Sequence, residues 1–308
     1  MSGPLEHGAG IAPGPRVSVV IPAWDAYAGP GLIDAVASVQ CQDESAEVIV
    51  VDNASCVELP PLPGVKRTRL PQRVSTGSAR NHGLGAATAP LVVFLDADDI
   101  MLPGALAELV QGITARPETV AHVMSITDGI TGSRFRTPRR LLGWLAPMPA
   151  VLATCNAIWS LLPTQGCTIM RADDVLTAGG FDDSDQGEEW VLGASLAFRG
   201  RVEVSERRAL LYHWRADSPG ALVISGPVLL ANARRVRRRL SIDPAIPSWV
   251  QRLLPAIAVA QWCTIVLVRP LVRLPRQLRS ARTTPSPVAA DAVSREPAGS
   301  TDVGERET

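Results

Sequence analysis

Lysine is almost missing from this chain of 308 residues, with Lys66 the only one. The cationic surface is therefore nearly all arginine. No lysine sits near the N-terminus, where the Gly-rich phosphate loop of a nucleotidyltransferase needs one. Cysteine is scarce and scattered. Cys41, Cys56, Cys155, Cys167 and Cys263 are odd in number and form no Cys-x-x-Cys spacing. That argues against zinc ribbons and dithiol redox motifs and for a reduced, cytosolic setting. Residues 1–15 are rich in Gly and Pro without an apolar run. They read as a disordered lead-in, not a signal peptide. No internal repeat is visible. Formal net charge is zero, so the average gives no sign of a nucleic-acid partner.

Hydrophobic residues are plentiful at 46% and charged ones sparse at 19%, which supports a globular chain with one large or two small domains. The charge is unevenly placed. From Arg199 to Arg282 sixteen arginines face four acids, Glu203, Glu206, Asp217 and Asp243. A basic second half suits an anionic partner, either a membrane surface or a phosphorylated substrate.

Short apolar runs alternate with helical spacing. Val17 to Pro22, Glu47 to Asp52 and Leu91 to Leu95 read as buried strands, the last two running into acids. Between them, Gly31 to Gln40 and Thr76 to Ala87 carry helical spacing, and a further helix opens near Leu102-Pro103. This alternation predicts an α/β, doubly wound, mostly parallel sheet with flanking helices. In such sheets ligands bind beyond the carboxyl ends of the strands. Pro22, Asp52 and Asp96 fall there. Pro227 to Leu240 reads as a helix with a basic end, and 253–268 is an uncharged run flanked by Arg252 and Arg269. That run is short for a bilayer span, which needs about 20 residues.

Four constellations carry chemistry, each beside a plainer alternative. Asp96-Ala97-Asp98-Asp99 places carboxylates one residue apart at a strand end. Such a loop can hold a hard divalent ion against a diphosphate, but Asp98 or Asp99 also fits as the cap of the next helix. Asp52-Asn53-Ala54-Ser55 suits a base or ribose contact, or a simple Asx turn. Gly77 to Gly83 allows close approach, and its Arg80 suits a phosphate or a strand-end Asp, or merely a surface. Gly179-Gly180-Phe181-Asp182 to Glu188-Glu189-Trp190 offers a carboxylate base beside an aromatic ring, or an exposed acidic loop.

In order, seven segments resemble a family 2 glycosyltransferase of the GT-A fold over about residues 17–222. They are Val17 to Asp25, Ala37-Ser38-Val39-Gln40-Cys41-Gln42, Val51 to Ser55, Ala79-Arg80-Asn81-x-Gly83, Phe94 to Asp99, Gly179 to Asp182, and Gly187 to Trp190. The resemblance implies inverting transfer from a nucleotide-diphosphate sugar to a hydroxyl, with Mn²⁺ or Mg²⁺ at an Asp-x-Asp motif. It assigns Pro22, Ala23, Trp24 and Asp52 to the base and ribose, Arg80 to support of the nucleotide, Asp96 and Ala97 to the donor, and Asp98 with Asp96 to the metal. The family's catalytic Asp is replaced by Glu189, with Glu188 as the fallback. Two further departures are Trp24-Asp25 for Tyr-Asn, and Ser218-Pro219-Gly220-Ala221, which lacks the family's His. His213 is the candidate substitute. A non-catalytic nucleotide-sugar-binding scaffold of the same fold is the alternative.

The expected layout is a disordered 1–15, a catalytic domain at 16–225 (a nucleotide-sugar half at 16–115 and an acceptor half at 116–225), a helical extension at 226–280 and a disordered tail at 281–308. The extension, with Arg234 to Arg239, Trp249 and Trp262, predicts either an interfacial helix on an anionic membrane or a buried helix packed on the catalytic domain. The apolar stretch 141–162, with Trp144 and Trp159, suggests a glycan or lipid-linked acceptor from the cell envelope. Cytoplasmic placement, peripheral on the inner membrane face, follows.

Overall fold

The apolar runs that end in proline or acid become neighbouring strands. In the computed structural model, which describes residues 14–129, 132–133, 139–213 and 225–268, β1 (Val17–Ala23), β2 (Ala46–Asp52), β3 (Lys66–Arg69) and β4 (Leu91–Phe94) pair in parallel in the order β3-β2-β1-β4. The register sets Ala23 beside Asp52, and Asp52 beside Arg69. β5 (Ile100–Met101), β6 (Thr119–Asp128), β7 (Thr168–Arg171) and β8 (Arg201–Tyr212) extend the sheet in the order β7-β6-β8-β5. The β4–β7, β6–β7 and β5–β8 pairs are antiparallel, and β6–β8 is parallel. The expected mostly parallel, doubly wound sheet is found.

Helices cover both faces. α1 (Pro30–Gln40) and α3 (Ala105–Thr114) close one side. α2 (Thr76–Ala86), α4 (Arg139–Leu145), α5 (Pro149–Ile158), α6 (Ala172–Thr177) and α7 (Glu188–Leu196) close the other. Along β1, Val17, Val19 and Ile21 enter the first core and Val20 the second. That explains why the strand reads as apolar throughout rather than alternating. Each such side chain contributes about 1.5–3 kcal/mol by burial. Gly83 has a structural reason. A Cβ there would lie 2.3 Å from Val20 Cγ1, so only glycine lets α2 seat on β1.

α8 (Gly226–Ile242) and α9 (Ser248–Cys263) form a third cluster with α5 and α7. A π turn, Thr264–Val268, continues α9. Together they make a 21-residue helical stretch, longer than the uncharged run because Ser248 to Arg252 precede it in the helix. Among the described residues this is the one stretch long and apolar enough to cross a membrane. Val250, Ile257, Gln261 and Ile265 pack inward, while Leu253, Val259, Trp262 and Leu267 are exposed. The helix thus carries a packed stripe on one side and an apolar exposed stripe on the other.

One local expectation shifts. α3 starts at Ala105 behind Gly104, whose φ of 73° needs glycine, and no side chain caps it. Asp98 and Asp99 lie ahead of β5, so neither is the cap of that helix. The Arg134 and Arg136 patch, Ser218 to Ala221 and the tail lie outside the described residues.

Candidate active site

The strand ends of β1 and β2 frame one side of the site. Pro22 is half-buried and Ala23 buried. Asp52 is buried, and its Oδ1 accepts from the Ser55 N–H at 2.9 Å. Its Oδ2 accepts from Arg69 Nη1 at 2.5 Å. Arg69 also donates to the Ser55 carbonyl at 2.7 Å. An open cavity of about 390 Å³ borders this pair, with Ser55, Glu58 and Arg67 among its walls. Asn53 exchanges two hydrogen bonds with the Val74 backbone, at 2.8 and 2.9 Å, and so pins the loop before α2. Asp25 Oδ1 accepts from the N–H groups of Cys56 and Val57, at 2.5 and 2.8 Å. The Val57 N–H is the largest cause holding the Asp25 carboxyl below its usual range. Trp24 carries the Arg73 guanidinium 3.5 Å above its ring. Arg67, Arg69 and Arg73 escaped the sequence reading. Their only signal is the alternation of Arg67 and Arg69 on β3, which means nothing until β3 is known to be a strand.

The carboxylate loop follows β4. It turns back on itself through Asp99 N–H to the Asp96 carbonyl at 3.1 Å. The β5–β8 pairing then carries the end of β8 to this loop. The His213 N–H donates to Asp99 Oδ1 at 3.1 Å, and His213 Nδ1 donates to the Asp98 carbonyl at 2.8 Å. Asp99 is buried. Burial first, then the charges of Asp96 and Asp98, push its pKa up to about 9 against the lowering effect of the His213 N–H and Arg80. Asp96 and Asp98 are half-buried.

Arg80 joins this loop to the second half of the chain. It is 2% exposed. Nη2 donates to Asp96 Oδ1 at 2.7 Å, and Nη1 donates to Glu188 Oε1 at 2.6 Å. Its Nε has no partner among the described residues. Burial opposes the charge on Arg80, but Asp96 and Glu188 more than offset it and raise its pKa. The guanidinium lies 5.2 Å from the Phe181 ring centroid. Arg80 is therefore committed to carboxylates, not lying on the surface.

Glu188 and Glu189 open α7. Glu188 is buried in the Arg80 pair. Glu189 is half-buried, and among the described residues nothing hydrogen-bonds its carboxylate. Burial first, then the Glu188 charge, push its pKa up to about 7. Trp190 does not offer a sugar platform. It is buried in the third core, and its Nε1 donates to the Asn156 carbonyl at 2.7 Å. The acidic loop before α7 is not merely solvated. Asp183 Oδ1 accepts from Ser75 Oγ at 2.5 Å and Ser78 Oγ at 2.8 Å, while Asp185 Oδ1 accepts from the Thr76 N–H at 2.9 Å. Acids here suit the N-terminal end of the α2 dipole. Gly77 permits the contact, since a Cβ there would lie 2.0 Å from the Asp182 carbonyl oxygen.

A family model described as Glycosyl transferase family 2 matches residues 18–176. That is more than half of the 308 residues. It takes in Asp52, Arg80, Asp96 and Asp98 and stops within α6, before Glu188 and Glu189. The chain is 30% identical over 223 residues to the succinoglycan biosynthesis protein ExoO of Rhizobium meliloti, covering 66% of this chain and 62% of that protein. It is 29% identical over 214 residues to the uncharacterized glycosyltransferase alr2836 of Nostoc sp., covering 64% of each. The matched part thus spans less than two thirds of these relatives. Among solved structures, S. aureus TarS 1-349 in complex with UDP-GlcNAc aligns with a TM-score of 0.61 at 13% identity, covering 81% of this chain and 73% of that one. The same fragment in complex with UDP aligns with a TM-score of 0.60 at 16% identity, covering 86% and 78%. At such identity the likeness establishes a GT-A-type fold.

Proposed function

Because the chain belongs to glycosyl transferase family 2, we propose that this glycosyltransferase moves a sugar from a nucleotide-diphosphate sugar to a hydroxyl acceptor with inversion at the anomeric carbon. The observation that carries the reading is the Arg80 bridge. One buried guanidinium binds Asp96 of the donor loop and Glu188 beside the candidate base, at 2.7 and 2.6 Å. Two acidic elements far apart in sequence therefore serve one reacting centre. The UDP and UDP-GlcNAc complexes of TarS support a nucleotide-sugar donor.

Asp52, Pro22, Ala23 and Trp24 border the base and ribose, and Asp96 and Ala97 approach the donor sugar. Arg80 supports the nucleotide indirectly, by holding Asp96 in place. Glu189 takes the acceptor hydroxyl proton. The acceptor oxygen then bonds to the anomeric carbon from the face opposite the diphosphate, and the bond to the leaving phosphate oxygen breaks with its electron pair. A group that titrates near neutrality is matched to this task.

The donor set at the carboxylate loop fits a hard divalent ion such as Mg²⁺ or Mn²⁺. Among the described residues no three His, Cys, Asp or Glu side chains converge into a metal cage. Asp98, with Asp96 near, would be the residues that hold such an ion. When bound, the ion supplies charge neutralisation for the leaving diphosphate. His213 Nδ1 donates to the Asp98 carbonyl, which fixes the ring against the carboxylate loop. His213, held beside the carboxylate loop, is the candidate substitute for the family's missing His.

The succinoglycan biosynthesis name of one relative supports an envelope glycan acceptor, lipid-linked or free. Exposed Trp144, Val259 and Trp262, with exposed Arg234, Arg238 and Arg252, support a peripheral position on an anionic membrane. A helix packed along one stripe on its own domain lies on a surface more readily than it crosses one.

The test is release of nucleoside diphosphate from a panel of nucleotide sugars with Mn²⁺ or Mg²⁺ or with EDTA, followed by the anomeric configuration of the product by NMR. Metal-dependent release with inverted product supports the proposal. No release from any donor, or a retained configuration, contradicts it.

A further inference from the structure

α8 lies beyond the matched family region, yet it grips the loop that leads to the candidate base. Asn232, Arg235 and Arg239 are three and four residues apart and so share one helix face. Asn232 Nδ2 donates to the Gln186 carbonyl at 3.0 Å. Arg235 Nη1 donates to Ser184 Oγ at 2.9 Å, and its Nε lies 3.3 Å from Asp182 Oδ2. Arg239 Nη1 donates to the carbonyls of Ala178 and Gly180, at 2.5 and 3.1 Å. The loop backbone is shaped for this grip. Gly179 and Gly187 have φ of +83° and +79°, where glycine is favoured. A Cβ on Gly179 would lie 2.8 Å from Arg239 Nη1, and one on Gly187 2.0 Å from Asn232 Nδ2. On its other side the same loop is clasped by the start of α2. Glu188 and Glu189 follow Gly187 directly, and nothing among the described residues hydrogen-bonds the Glu189 carboxylate. Its placement is therefore inherited from the loop.

We infer that Asn232, Arg235 and Arg239 of α8 are positioning residues that set the Glu189 carboxylate through the loop 178–187. The inference rests on the reading of Glu189 as the base. Arg239 suits the role because its Nη1 carries two N–H groups and so reaches both carbonyls with charge-assisted bonds. The basic face of the extension is thus divided. Arg235 and Arg239 turn inward to the loop, while Arg234 and Arg238 remain exposed.

The experiment compares full-length parent, Arg235→Gln, Arg239→Met, Arg239→Lys and Glu189→Gln. Donor hydrolysis gives kcat and KM, UDP and GDP titrations with Mn²⁺ give donor-site affinity, and hydrogen–deuterium exchange reads the loop. Arg235→Gln and Arg239→Met should lower kcat about tenfold to a hundredfold, the scale of a small misplacement of a reacting group. Nucleoside diphosphate affinity should stay within about twofold. Exchange over 178–189 should rise, and Arg239→Lys should recover part of the loss because an ammonium still donates to carbonyls. Folded α8 variants that turn over like the parent while Glu189→Gln is inactive overturn the positioning role and leave the base reading standing. Glu189→Gln turning over like the parent removes the base reading, and this inference with it. Unchanged exchange over the loop overturns the grip whether or not any donor is turned over.

Discussion

In the proposed mechanism Glu189 takes the acceptor proton, and burial sets its pH behaviour. With a pKa of about 7, kcat/KM should fall about tenfold per pH unit below neutrality as the base is protonated. The loss should sit on the acid side of a rate profile. Glu189→Gln should bind donor like the parent and show no turnover. The same shift has a stability consequence. The folded pKa lies above the ordinary 4.5, so the native state holds a proton that the unfolded chain has released between those values. Stability from the neutral carboxyl is present below that window and is lost as pH rises through it. Glu189→Gln should therefore stabilise the protein by on the order of 1–3 kcal/mol at about pH 8, with little effect at about pH 4, as read by urea unfolding at both. A destabilised variant at the higher pH contradicts this. Arg80→Met should act the other way. It leaves Asp96 and Glu188 without their shared cation, at a cost of about 3–5 kcal/mol, measurable by the same unfolding. Asp98→Ala should abolish transfer with little change in stability, since Asp98 is half-buried and its proposed role is to hold the metal.

The join between α2 and the acidic loop is where a single methyl group has leverage. Gly77→Ala sets a Cβ 2.0 Å from the Asp182 carbonyl oxygen, which is backbone and cannot swing aside. Overpacking of this kind costs about 1–3 kcal/mol, and the loop should move away from α2. Activity should fall more than the melting temperature suggests, because Arg80 on α2 and Glu188 beyond the loop lose their common register. Normal kcat in a folded Gly77→Ala protein contradicts this. Much of this element was readable beforehand. Small residues at the start of the second helix signalled a close approach, and the strand ends at Asp52 and Asp96 followed from apolar runs bounded by acids. What was hidden depends on pairing across long sequence distances. Arg69 reaches Asp52 only because β3 adds in parallel to β2. His213 reaches Asp98 only because two residues of β5 pair with the end of β8. Residues 183 and 185 looked like a solvated charge run, since a sequence does not show that their loop folds back onto Ser75, Thr76 and Ser78 at the start of α2.

Across the molecule, the catalytic sheet and the C-terminal extension are one packed unit, and the extension faces two ways. Its inner stripe builds the third core, and its outer stripe presents Leu253, Val259, Trp262 and Leu267. An apolar helical extension was legible in the sequence. The side that packs was not, because Gln261 turned out to be buried, donating to the Ala157 carbonyl at 2.8 Å. Full-length protein should bind anionic vesicles at low salt, less at high salt as the arginine contribution is screened, and less after Trp262→Ser. Failure to sediment with such vesicles at low salt contradicts the membrane position. The central claim, a metal-assisted donor site joined through Arg80 to a separate base, is tested most directly by calorimetric titration of UDP and GDP into parent, Asp98→Ala and Glu189→Gln with and without Mn²⁺. The account predicts Mn²⁺-dependent binding of one of them to the parent, undiminished in Glu189→Gln and lost in Asp98→Ala. Binding that ignores Mn²⁺ and survives Asp98→Ala would contradict it.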